Sequence, residues 1–190
     1  MTPGRPAVFL DRDGVVVIPE FRGGRSFAPA TLDAFRLYPD AAQSLQLLRD
    51  AGYLLVLVTN QPDVGKGLIP LAVMDAMNAR LASELPLDRI EVCTHTREDN
   101  CDCRKPKAGM LLKAAEALGI RLDLSFMIGD RESDILAGAA AGCRTVFVDL
   151  DYAAEPLPEA ADWTVRSIAE AAACILAASG SGESVHVQAR

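Results

Sequence analysis

Short, mostly apolar runs alternate along this chain with longer stretches of helical periodicity. The runs fall at residues 7–10, 54–58, 90–93, 126–128 and 145–148. Runs of this length, apolar throughout apart from Glu91 and Thr145, predict strands buried on both faces. The intervening stretches predict helices at about 40–51, 71–85, 107–118 and 133–141, with a last one near 167–178. Gly52, Gly119 and Gly142 stand where helices are expected to stop. Strands and helices in this alternation predict an α/β fold, a doubly wound parallel sheet with helices on both faces. One domain is expected over residues 1–178. Pro156 and Pro158 mark a loop at 155–160. From Ser179 the chain reads SGSGESVHVQAR, a linker composition that predicts a flexible tail over 179–190.

Composition narrows the setting. With 190 residues, half of them hydrophobic and only 5% aromatic, one domain can bury a core packed chiefly by Leu, Val and Ala. A net charge of −7 argues against nucleic acid or an anionic membrane surface as partner. No apolar run approaches the roughly 18 residues of a spanning helix, and the N-terminus lacks a signal-peptide pattern. A monomeric cytoplasmic protein is expected.

In a parallel sheet, ligands bind beyond the carboxyl ends of the strands, and the polar residues cluster there. Asp11 and Asp13 follow the first run. Thr59, Asn60 and Gln61 follow the second. Cys93 and His95 close the third, with Arg104 and Lys105 further along, and Gly129, Asp130 and Arg131 follow the fourth. Asp13-Gly14 alone is ordinary turn chemistry. Two carboxylates projecting into one crevice, however, call for a cation, and Mg²⁺ is usually held by one or two carboxylates. Acids, a hydroxyl and a lysine converging on one crevice suit phosphoryl transfer, in which a metal and cationic donors neutralise the transferring oxygens.

The five cysteines are unevenly spread. Cys143 and Cys174 stand alone in Ala-rich surroundings and read as small buried hydrophobes. Cys93, His95, Cys101 and Cys103 put four ligands on one loop, a set suited to tetrahedral Zn²⁺ with no open position and therefore structural. Cys103 runs directly into Arg104-Lys105-Pro106, so a metal that fixes the loop also fixes the lysine.

Asp11-Arg12-Asp13-Gly14, Thr59, Lys105 and Gly129-Asp130 with Asp134 together resemble the four-motif signature of the haloacid dehalogenase superfamily of phosphatases, over roughly residues 8–148. The resemblance implies a Rossmann-like core and a role for each motif residue. Asp11 would be the nucleophile, forming an aspartyl-phosphate, and Asp13 the general acid and then base. Thr59 would bond the phosphoryl oxygens, and Lys105 would clamp nucleophile and phosphoryl group. Asp130 would complete the Mg²⁺ shell with the Asp11 carboxylate and the Asp13 backbone carbonyl. Asp134 would orient Lys105 or a metal-bound water, or simply cap a helix.

Within that superfamily, the C-x-H…C-x-C loop followed by Cys-Arg-Lys-Pro resembles two related groups, acting on heptose 1,7-bisphosphate and on histidinol phosphate. Thr59-Asn60-Gln61 fits both. Gly109-Met110-Leu111 leans to the heptose group. The five-residue interval within the zinc loop and Gly129-Asp130-Arg131 lean to the histidinol group. The connections after Gly14 and Thr59 are too short for a cap domain. Substrate contacts are therefore expected from Asn60, Gln61, Arg104, Arg131, and Arg22 and Arg25, which flank two glycines and can equally be solvated. The expected substrate is a small phosphorylated metabolite. The leading reading is release of the 7-phosphate of a heptose bisphosphate in nucleotide-heptose biosynthesis. Histidinol phosphate is the alternative, and a polynucleotide 3′-phosphatase or a zinc-stabilised binding module fits less well.

Overall fold

The structure, a computed structural model, describes residues 4–154 and 156–180. Its strands are β1 (Ala7–Leu10), β2 (Glu20–Arg22), β3 (Arg25–Phe27), β4 (Leu54–Asn60), β5 (Arg89–Cys93), β6 (Phe126–Gly129), β7 (Arg144–Val148) and β8 (Trp163–Val165). Its helices are α1 (Ala41–Asp50), α2 (Pro62–Gly65), α3 (Leu71–Glu84), α4 (Gly109–Leu118), α5 (Glu132–Ala140) and α6 (Ile168–Gly180). Six strands form one sheet in the order β5-β4-β1-β6-β7-β8, and every pairing is parallel.

The sheet is apolar on both sides because successive side chains point to opposite faces. Val8, Leu10, Leu55 and Leu57 meet Leu45 and Leu48 of α1 and Leu81 of α3, with α6 alongside. Ala7, Phe9, Val56 and Met127 meet Met110 and Leu111 of α4 and Ala137 of α5. The chain builds outward from β1 through β4 to β5, then returns to the other side of β1 as β6. The carboxyl ends of β1 and β6 therefore flank the point where winding reverses, and such points make crevices.

Several boundaries differ from those predicted. β4 continues through Thr59 and Asn60, because both residues pair in register with Val92 and Cys93 of β5. α6 runs past residue 178 to Gly180; the Ser179 hydroxyl donates to the Ile175 carbonyl at 2.7 Å and lies 2.5 Å from the Tyr53 hydroxyl. The rest of the predicted tail, and Glu155 of the predicted loop, lie outside the described residues. Residues 20–27 form a hairpin, with Gly23 and Gly24 at φ +58° and +75°. Two consecutive left-handed residues match a two-residue type I′ turn. β8 has only three residues, too few for a periodic signal. Among the described residues there is no separate cap domain: this hairpin follows β1, and only α2 and α3 separate β4 from β5. No helix there is long and apolar enough to cross a membrane.

Leu57 is fully buried between β1 and β5. Leu57→Ala should lower unfolding free energy by about 2–5 kcal/mol, read as a lower urea midpoint with unchanged slope.

Candidate active site and metal centres

Lys105 is the buried centre of the site. Its Nζ donates to Asp11 Oδ1 at 2.8 Å and to the Val58 carbonyl at 2.7 Å, and pairs with Asp134 Oδ1 at 2.6 Å. Burial alone lowers an ammonium pKa. Here the Asp11 and Asp134 carboxylates outweigh it, and the net shift is upward. The lysine backbone is held too: Asn60 Nδ2 donates to the Lys105 carbonyl at 3.0 Å, and the Lys105 N–H donates to Asn60 Oδ1 at 3.1 Å. With both ends of its amide so engaged, Asn60 serves the lysine.

Asp134 has both of its oxygens in use. Oδ1 meets Lys105, while Oδ2 accepts the Arg131 N–H at 3.1 Å, capping α5. One carboxylate thus both meets Lys105 and caps α5. Burial raises its pKa, Lys105 opposes this, Asp11 adds to it, and the result is about 6.

Asp11, Asp130 and Asp134 bring carboxylate oxygens within 4.8 Å of one another. Asp130 is buried, and burial together with Asp11 and Asp134 raises its pKa well above the usual range. Its Oδ2 accepts from the Tyr152 hydroxyl at 2.6 Å, whereas its Oδ1 is buried with no partner. Three acids around one lysine leave a charge deficit. With Asp134 fully engaged, Asp11 and Asp130 have the hard oxygens that fit Mg²⁺. Asp13 lies outside this carboxylate cluster: its Oδ2 accepts from Gln61 Nε2 at 2.8 Å and Arg12 Nε at 3.1 Å. Its Oδ1 has no partner. Gln61 also donates to Thr59 Oγ1 at 2.9 Å, so one amide group bridges Asp13 and Thr59.

Above this floor opens a cleft of about 790 Å³ lined by Asp11, Asp13, Asn60, Gln61, Lys105 and Asp134. Its rim adds Arg25, Lys66, Arg97, Arg104, Lys107 and Arg131, so an acidic chain presents a cleft rich in cations. Arg131 Nη2 donates to the Ser26 carbonyl at 2.8 Å and to Ser26 Oγ at 2.6 Å, fastening the hairpin over the end of β6. Arg104 Nη1 donates to the His95 carbonyl at 3.1 Å. Arg25 lines the cleft, but Arg22 does not; it pairs with Glu20 and lies over the Phe27 ring.

Cys93, His95, Cys101 and Cys103 converge as well. Cys103 Sγ lies 3.3 Å from Cys93 Sγ, 3.4 Å from Cys101 Sγ and 3.3 Å from His95 Nδ1. Cys93 Sγ lies 3.7 Å from Cys101 Sγ and 3.6 Å from His95 Nδ1. A tetrahedron with Zn–S of about 2.3 Å has edges of about 3.8 Å, so this donor set fits Zn²⁺ closely. Burial and the Cys103 contact push the Cys93 thiol up to about 12. At Cys101 burial opposes the change, but contacts with Cys103 and the Arg104 N–H pull it down to about 7.

Tyr152, Arg97, Lys66 and Lys107 also reach the site, and no sequence motif marks them. Arg97, Lys66 and Lys107 are lone cations in polar stretches, with no motif around them. Tyr152 belongs to a loop whose return to the site depends on the hairpin.

A model of the haloacid dehalogenase-like hydrolases matches residues 27–142. A D-glycero-beta-D-manno-heptose-1,7-bisphosphate 7-phosphatase of Pasteurella multocida is 37% identical over 182 residues, spanning 87% of this chain and 94% of that protein. The Pseudomonas aeruginosa protein of the same name is 34% identical, spanning 82% and 89%. Among solved structures, the D,D-heptose 1,7-bisphosphate phosphatase of B. bronchiseptica, complexed with magnesium and phosphate, superposes with a TM-score of 0.76. It is 29% identical, over 91% of this chain and 99% of that one.

Cys101→Ser should lower zinc content and melting temperature together, because metal-binding energy at such a site is folding energy. Metal analysis beside thermal melting checks this; full zinc content with an unchanged melting temperature would contradict it.

Proposed function

We propose that this chain, which belongs to the haloacid dehalogenase-like hydrolases, removes the 7-phosphate of D-glycero-β-D-manno-heptose 1,7-bisphosphate in nucleotide-heptose biosynthesis in the cytoplasm. It is a phosphoric monoester hydrolase. The observation that carries the substrate reading is the cleft itself, with a buried Asp11–Lys105 pair at its floor and cations around its rim. Curated relatives with that name at 34–37% identity support it.

The residues divide the work. Lys105 holds one oxygen of Asp11, which fixes the carboxylate and leaves its second oxygen to attack phosphorus. The P–O bond to the sugar breaks as the aspartyl-phosphate forms, and the departing oxygen takes a proton from Asp13. Gln61 and Arg12 fix Asp13 Oδ2, leaving Oδ1 to carry that proton. Asp13 then takes a proton from the water that attacks the phosphoenzyme, which regenerates Asp11 and releases phosphate. Thr59, whose hydroxyl oxygen accepts from Gln61, is free to donate a hydrogen bond to a phosphoryl oxygen. Mg²⁺, held by Asp11 and Asp130, would supply charge neutralisation to the phosphoryl oxygens. Zn²⁺ on the cysteine loop would hold Arg104 and Lys105 in place.

Turnover of both heptose bisphosphate anomers and of histidinol phosphate, measured with Mg²⁺, tests the substrate. A kcat/KM at least about a hundredfold higher for the β anomer is expected, equivalent to about 2.7 kcal/mol of discrimination. Comparable rates on all three would keep the chemistry and overturn the substrate. Asp13→Asn should slow turnover by about 10²–10⁴-fold, most for esters with poor leaving groups. Equal slowing across a series of leaving groups would contradict the proton-donor role.

A further inference from the structure

Asp130 has its two carboxylate oxygens in contrasting surroundings. Oδ2 accepts a 2.6 Å hydrogen bond from the Tyr152 hydroxyl, while Oδ1 is buried without a partner. Tyr152 lies four residues beyond the end of β7 at Val148 and does not belong to the phosphatase motifs. Its place is set from two directions. Its ring packs on Phe21 of the hairpin, centroids 5.6 Å apart, and the nearby Ala154 N–H donates to the Gly24 carbonyl at 3.2 Å. On the other side, Gly14 makes room. A Cβ there would lie 2.2 Å from Asp130 Oδ2 and 2.9 Å from the Tyr152 hydroxyl oxygen.

We propose that Tyr152 is a positioning residue that occupies one oxygen of Asp130, restricts this carboxylate to single-oxygen contact with the cation, and so favours Mg²⁺ over Ca²⁺. The inference rests on the reading of Asp11 and Asp130 as Mg²⁺ ligands. Its physical basis is the difference between the two ions. Mg²⁺ is small, demands near-ideal octahedral geometry, and is commonly bound through one or two carboxylates. Ca²⁺ takes longer bonds, more ligands and bidentate carboxylates readily. A hydroxyl fixed on Oδ2 turns Oδ1 toward the deficit left by Asp11 and Asp134, and it blocks the bidentate grip that Ca²⁺ would use. Partners of metal-ligating side chains typically alter affinity by about 10–100-fold when removed.

Tyr152→Phe keeps the ring and its packing on Phe21 while removing only the hydroxyl. Calorimetric titration of the full zinc-loaded chain with Mg²⁺, and separately with Ca²⁺, reads the effect directly, without turnover. Mg²⁺ affinity should fall about tenfold, whereas Ca²⁺ affinity should hold or rise. An unchanged Mg²⁺ affinity, or equal weakening for both ions, would overturn the proposal, since a merely structural tyrosine would not alter selectivity. If the unaltered chain bound no Mg²⁺ at all, both this inference and the Asp11–Asp130 ligand reading would fall. Equal selectivity in the two proteins would remove this inference alone.

Discussion

Three buried carboxylates beside one lysine, which reaches only two of them, are the constraint around which the site is organised. Like charges within a few ångströms in a low-dielectric interior repel strongly, and removing one partner from a buried pair typically costs about 3–5 kcal/mol. Lys105 answers part of that repulsion by bridging Asp11 and Asp134. Asp130 is left with a buried, unpartnered oxygen. Protonation, favoured by the raised Asp130 pKa, or a divalent cation held as proposed by Asp11 and Asp130 would balance it.

Much of the surrounding fold serves to place that lysine. β4 supplies the Val58 carbonyl for its ammonium and the Asn60 amide for its backbone. The cysteine loop ends on Cys103, two residues before it, and α5 presents Asp134 from its first turn. Three separate elements thus converge on one side chain. The hairpin is fastened by Arg131 to Ser26 and by Tyr152 to Phe21. The hairpin and the acidic cluster consequently share supports.

The sheet was legible because parallel strands buried on both faces are continuous apolar runs, which stand out wherever they occur. The acids and the lysine were legible because strand ends are where such a sheet builds its crevice, and the four-motif order gave each a role. The convergence of Cys93, His95, Cys101 and Cys103 was legible in their close spacing on one loop. Other features depend on pairing between distant segments, which local pattern does not carry. Gly23-Gly24 reads as flexibility until Glu20–Arg22 and Arg25–Phe27 are seen to pair. Asn60 and Arg131 line the cleft, and their ties across the fold, from Asn60 to the Lys105 backbone and from Arg131 Nη2 to Ser26, are of this kind. Tyr152 was invisible in the sequence for the same reason.

The central claim is that a carboxylate held by Lys105 takes the phosphoryl group before water does. The stereochemical course at phosphorus tests it most directly. A heptose bisphosphate carrying an isotopically chiral thiophosphate at the 7-position, hydrolysed in isotopically labelled water, gives a product whose configuration can be assigned. Two in-line displacements, through Asp11 and then water, predict net retention. Inversion would mean that water attacks the substrate directly and would contradict the account.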